Sequence, residues 1–240
     1  MESLNRDMIK MIYFDLDHTL WDFENNSKSA LRLVYNNYRN LLNSINTEAF
    51  ISTYQKINTQ LWDSYRKKEI SQEELKLLRF DLTLKTLGIE YNESLIQEIN
   101  DVYLDTLSKQ EMLINGAKDV LEYLWGKYKL GILTNGFRKT QLAKLNSSGI
   151  DKYFKILVSS EDIGFPKPDE KIFSYAQKVS GYPKEKIAYI GDDLENDILP
   201  AIKFGMQAIW FKNNNSFISN LPIKDNIVVI DHLSELKDIF

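Results

Sequence analysis

The apolar run Met11-Ile12-Tyr13-Phe14 ends abruptly in charge at Asp15, and no second strand pattern follows it before Leu130. A lone strand is not stable, because its backbone donors and acceptors need neighbours. From about Asn25 to about Gln110 the polar and apolar residues follow helical spacing instead. The opening strand must therefore pair with strands far downstream. What lies between is an insertion into a sheet-forming domain.

The insertion reads as helices over Ser27–Leu42, Thr47–Lys67, Ser71–Leu87 and Glu93–Lys109. Asn46 or Thr47, Ser71 and Asn92 are helix-starting residue types, Glu74 follows Ser71 at capping-box spacing, and Gly88 marks a stop. Four helices joined by short loops predict a small bundle with antiparallel neighbours. From Asn115 onward strands alternate with helices, the strands being Leu130–Thr134, Ile156–Ser159, Ile187–Ile190, Gln207–Phe211 and Ile227–Ile230. That alternation predicts an α/β fold, a Rossmann-like parallel sheet with helices on both faces. Residues 1–17 and 111–240 form this core, and 18–110 form a helical cap inserted after the first strand.

Composition narrows the function classes. A net charge of −4 and a pI near 5.4 leave no basic stripe for a nucleic-acid polymer. With no cysteine there is no disulfide, thiolate metal site or cysteine nucleophile, which fits a reducing compartment. The N-terminal apolar run is brief and broken by charge, unlike a signal peptide or a membrane span. A cytoplasmic protein without a membrane partner is expected.

In open parallel sheets, ligands bind beyond the carboxyl ends of the strands, where strand order reverses. Four polar clusters follow predicted strands: Asp15-Leu16-Asp17, Thr134-Asn135-Gly136, Gly164 to Asp169 with Lys167 between two prolines, and Gly191 to Asp197. Asp15 sits at a strand tip and Asp17 comes from the adjoining loop, so the two carboxylates have different surroundings and can hold different protonation states. One could attack phosphorus while the other hands a proton to the departing oxygen. Taken singly, each cluster has a plainer explanation. Asp-x-Asp makes turns, Thr-Asn caps helices, a lysine is usually solvated, and Asp192 to Asp197 could charge a helix N-terminus, Asp197 in part. Two acidic strand tips brought together would repel unless a cation lay between them, and hard oxygen ligands suit magnesium, which also bridges to a phosphate.

Together these four motifs resemble the haloacid dehalogenase superfamily of phosphohydrolases over nearly the whole chain. The resemblance implies that Asp15 is a nucleophile forming an aspartyl phosphate and that Asp17 is the general acid, then base. It further implies that Thr134 and Asn135 bind phosphate and that Lys167 stabilises it. Magnesium would be held by Asp192, Asp15 and the backbone carbonyl of Asp17, with Asp197 a partner for Lys167 or metal-bound water. Asp193 stands where the family often has serine, which leaves open which adjacent carboxylate meets the metal. The dehalogenase branch lacks an aspartate at the Asp17 position, since halide needs no proton on leaving. The insertion is similar to the family's helical caps, which close over the active site and select small substrates.

Within the superfamily, the segments Asp15–Ser27, Leu61–Phe80 and Ser159–Phe173 are similar to nucleoside monophosphate 5′-nucleotidases acting on pyrimidine and damaged nucleotides. The expectation is a magnesium-dependent phosphomonoesterase for small nucleoside monophosphates. A sugar-phosphate or phosphoglycolate-type phosphatase, a phosphoglucomutase-like transferase and a non-catalytic phospho-ligand-binding relative are the alternatives. Trp21 is expected to pack the hinge, whereas Phe23 and Phe137 could pack there or face a base. Trp62, Tyr65 and Arg79 belong to the bundle, His18 shapes its loop, and His232 starts the last helix.

Overall fold

A computed structural model describes residues 6–212 and 227–240. The chain divides into two compact units, one of Met1–Phe23 with Glu111–Phe240 and the other Glu24–Gln110.

The first unit is built on parallel strands β1 (Met11–Phe14), β2 (Lys129–Thr134), β3 (Ile156–Ser159), β4 (Ile187–Gly191), β5 (Gln207–Phe211) and β6 (Val228–Ile230). Their order is β3-β2-β1-β4-β5-β6. The chain therefore steps outward from β1 in one direction as far as β3 and returns to the other side of β1 with β4. The crevice between the ends of β1 and β4 is the place where such a sheet binds ligands. All four residues of β1 are buried, as suits a central strand. Met11 and Tyr13 pack with Ile172, Phe173, Ile198 and Trp210, while Ile12 and Phe14 alternate to the opposite face. The helices of this unit include α5 (Ala117–Leu124), α6 (Arg138–Ser147), α7 (Glu170–Ser180), α8 (Leu199–Phe204) and α9 (Leu236–Ile239).

The second unit carries α1 (Phe23–Asn37, entering from the first unit), α2 (Thr47–Arg66), α3 (Gln72–Thr86) and α4 (Ser94–Ser108). Asn46 caps α2 by accepting from the Ala49 N–H at 2.8 Å, and Ser71 and Glu74 complete a capping box at α3. Asn92 accepts from the Ser94 N–H at the start of α4. Tyr54, Phe80 and Tyr103 stack in the middle, with ring centroids 4.8 to 5.5 Å apart. Arg79 is buried beside them, bonded to Asn100 with its guanidinium 5.0 Å from the Tyr103 ring.

Two boundaries differ from the sequence reading. Helix α1 begins and ends earlier than Ser27–Leu42, and after Asn37 a stretch containing the weak helix formers Asn and Ser breaks into hydrogen-bonded turns. Residues 18–23, expected with the insertion, group with the sheet unit. The Asp22 N–H bonds the Met112 carbonyl at 3.0 Å and the Ile114 N–H bonds the Leu20 carbonyl at 2.9 Å, which ties the outgoing and returning strands of chain together. Among the described residues no helix is long and apolar enough to cross a membrane.

Candidate active site

Asp15 leaves the end of β1 with its N–H bonded to the Ile190 carbonyl at 2.9 Å, so its carboxylate is fixed at the β1/β4 crevice. The Lys167 ammonium lies 3.0 Å from it. Lys167 is buried and also reaches Asp197 at 2.6 Å, the Tyr189 hydroxyl at 2.8 Å and the Leu133 carbonyl at 3.3 Å. Tyr189, on β4, passes its own hydroxyl hydrogen bond to Asp197 at 3.0 Å. Burial works against the Lys167 charge, but Asp15 and Asp197 outweigh it and hold its pKa above the ordinary lysine value. Asp15 is pushed up to about 7, by burial first and then by Asp197 and Asp17, against the opposing pull of Lys167. Lys167 therefore remains a cation in direct contact with the strand-tip carboxylate.

The second acidic tip follows β4. Asp192 points at the same crevice, accepts from the Thr19 hydroxyl at 3.0 Å, and has its backbone carbonyl held by the Trp210 indole N–H at 2.8 Å. Asp193 turns away: its carboxylate accepts from the Glu195 and Asn196 N–H groups at 3.0 Å and caps the π-helical turn Leu194–Ile198 that precedes α8. The capping role thus belongs to Asp193, and Asp192 is the adjacent carboxylate that joins the cluster. Gly191 makes the turn possible, since a Cβ there would collide with the Asp197 carboxylate.

Oxygens of Asp15, Asp192 and Asp197 lie within 4.8 Å of one another. Burial, then Asp197 and Asp15, raises the Asp192 pKa well above the usual carboxylate range. Buried like charges of hard oxygen chemistry fit a magnesium ion. Asp197 already accepts from Lys167, Tyr189 and the Asp193 N–H, so it is more fully engaged than Asp15 and Asp192.

Thr134 and Asn135 end β2. The buried Thr134 hydroxyl accepts from the Gly136 N–H at 3.0 Å and from Gln141 at 2.9 Å, which leaves its own O–H to donate. Asn135 clamps the backbone of Lys167 from both ends, accepting from its N–H at 2.7 Å and donating to its carbonyl at 3.0 Å. Asn135 therefore anchors the lysine turn with its side chain, a task distinct from the phosphate contact expected of it. Asp17 is bound by two residues of α6: Lys144 reaches its two oxygens at 2.6 and 2.9 Å, and Gln141 reaches one at 2.9 Å.

Sequence reasoning missed Gln141, Lys144, Tyr189, Thr19 and Trp210. Gln141 and Lys144 are three apart and so share a helix face, the available signal; Tyr189 was a lone hydroxyl in an apolar strand. Trp21 is fully buried, and Phe137 is also buried. Phe23 stacks 5.0 Å from His18, which takes a left-handed conformation (φ 66°) that shapes the loop. His232 starts the terminal helical turns with Glu235 bonded back to its N–H. Trp62 and Tyr65 pair edge to face at 5.7 Å within the helical unit.

A parallel sheet delivering an acid pair, a hydroxyl, a lysine and a second acid to one crevice is the arrangement of a known enzyme class. The chain belongs to the haloacid dehalogenase-like hydrolases, whose family model matches residues 12–211. Among individual proteins it is 32% identical to pyrimidine 5′-nucleotidase YjjG of Escherichia coli, over 83% of this chain and 84% of that one. The magnesium-bound crystal structure of the putative HAD-hydrolase YfnB from Bacillus subtilis superposes with a TM-score of 0.83 at 30% identity, covering 96% of this chain and 98% of that one. A glyceraldehyde 3-phosphate phosphatase of Methanothermobacter thermautotrophicus is 26% identical over 97% of this chain and all (100%) of its own.

Proposed function

We propose that this hydrolase is a magnesium-dependent phosphomonoesterase acting on nucleoside 5′-monophosphates through an aspartyl phosphate at Asp15. The observation that carries the reading is Asp15 itself, a buried strand-tip carboxylate 3.0 Å from a permanent cation and beside a second acidic tip. A carboxylate oxygen of Asp15 attacks phosphorus, the phosphorus–oxygen ester bond breaks, and its electron pair leaves on the alcohol oxygen, which takes the proton of Asp17. Asp17, now ionised, accepts a proton from water as that water attacks the phosphorus of the aspartyl phosphate. The Asp15–phosphorus bond breaks, returning the carboxylate and releasing inorganic phosphate.

Lys167 offsets the charge on the nucleophile and on the phosphoryl oxygens, and the Thr134 hydroxyl donates to one of those oxygens. Tyr189, Asp197 and Asn135 keep Lys167 in place for this. Asp15, Asp192 and the backbone carbonyl of Asp17 would hold magnesium. When bound, the ion shields phosphoryl charge so that an anionic nucleophile can approach.

The YjjG relative supports nucleotides, while the glyceraldehyde 3-phosphate phosphatase relative favours a second reading, a sugar- or triose-phosphate phosphatase with the same catalytic set. Phosphate release with magnesium present, measured for dUMP, UMP, dTMP, glyceraldehyde 3-phosphate, hexose phosphates and phosphoglycolate, separates them. Pyrimidine nucleotides should give the highest kcat/KM. If all three are poor beside a sugar phosphate, the nucleotidase reading is wrong.

A further inference from the structure

We infer that Lys144 is a positioning residue for the proton-transferring carboxylate, fixing the orientation of Asp17. Lys144 lies on α6 and is buried, with its ammonium across both Asp17 oxygens at 2.6 and 2.9 Å. The same ammonium stands 4.4 Å from the Trp21 ring and 5.4 Å from the Phe23 ring, so two aromatic faces wall the slot in which the pair forms. One turn earlier, Gln141 bonds Asp17 and Thr134 with the same amide nitrogen, both at 2.9 Å, and links the proton-transferring carboxylate to the hydroxyl at the end of β2. Its amide oxygen is buried and has no partner among the described residues. The amide is thus turned to serve Asp17 and Thr134 rather than to satisfy itself. Gly136 leaves the room for it, since a Cβ there would strike the Gln141 side chain.

Packing alone is a poor reason for this arrangement. A lysine taken out of water is costly unless paired, and replacing both members of such a pair by apolar residues of similar volume is often neutral or stabilising. What the pair supplies is a fixed orientation. Asp17 comes from a loop, and a proton donor displaced by an ångström loses much of its effect. Together Lys144 and Gln141 remove the rotational freedom of that carboxylate.

The inference rests on Asp17 being the acid, and the test separates the two claims. Departure of an alkoxide needs a proton, whereas p-nitrophenolate leaves as a stable anion. Values of kcat/KM report the step in which the leaving group departs, and the ratio between two substrates does not depend on the fraction of folded enzyme. We would measure kcat/KM with magnesium for dUMP, glyceraldehyde 3-phosphate and p-nitrophenyl phosphate in wild type, Lys144→Met, Lys144→Gln and Asp17→Asn. Both Lys144 variants should lose on the order of tenfold more on the alkyl phosphates than on p-nitrophenyl phosphate, and Asp17→Asn should lose more still in the same direction. Equal losses on both substrate types in the Lys144 variants, with the split present in Asp17→Asn, would leave Lys144 as packing only and overturn the inference. No split in Asp17→Asn would overturn the acid role of Asp17 and the inference with it.

Discussion

At Asp15 burial and the neighbouring carboxylates favour the proton, while Lys167 at 3.0 Å favours the charge. The proposed nucleophilic role needs the ionised form, which the lysine and a divalent cation would both favour. Asp15→Asn keeps the shape and removes the proposed nucleophile. Its phosphate release should fall to the level of an enzyme-free control while its thermal unfolding midpoint stays within a few degrees of wild type; full activity would rule out the covalent route. Asp17→Asn should lose about 10²–10⁴-fold in kcat/KM on alkyl phosphates, the range of general acid-base help. Asp15, Asp17, Lys167 and Asp192 stood out in the sequence because each follows a strand and is hard to justify by packing, and the structure brings Asp15, Lys167 and Asp192 to one crevice. Lys144 and Gln141 did not stand out, because a polar residue in a helix reads as solvated until the tertiary fold buries it. Asn135 was placed at the right strand end, but only geometry shows its side chain occupied with Lys167.

At the scale of elements, turns carry the chemistry. The bend after β4 relies on Gly191 to let Asp197 fold back against the strand and meet Lys167. Gly191→Ala should push Asp197 away, costing about 1–3 kcal/mol in urea unfolding and a larger share of activity. In the helical unit the capping box at α3 is a local signal that the sequence shows directly, and Ser71→Ala should destabilise by about 1 kcal/mol without touching catalysis. Helices α2 and α3 were legible to within a residue or two for this reason. Helix α1 was not, because it starts just after a loop in which His18 takes a left-handed turn and ends in a run of hydrogen-bonded turns after Asn37.

For the whole molecule, the insertion was an expectation drawn from the lone opening strand, and the parallel sheet followed from the alternation after Asn115. The exact seam was not legible, since residues 18–23 are held to the sheet unit by backbone bonds to the returning chain, which no local pattern announces. Under the proposed function, the acidic crevice ties activity to a bound metal. A chelator should abolish turnover and magnesium restore it. Magnesium should also raise the unfolding midpoint of wild type, by linkage, and Asp192→Asn should erase most of that shift. The central claim is covalent, and borohydride reduction tests it at one atom. Enzyme quenched in acid during turnover, reduced with sodium borohydride and mapped by peptide mass spectrometry should carry homoserine at position 15, the reduction product of an aspartyl phosphate. An unmodified Asp15 under conditions of full turnover, or homoserine at position 17 or 192 instead, would contradict the account.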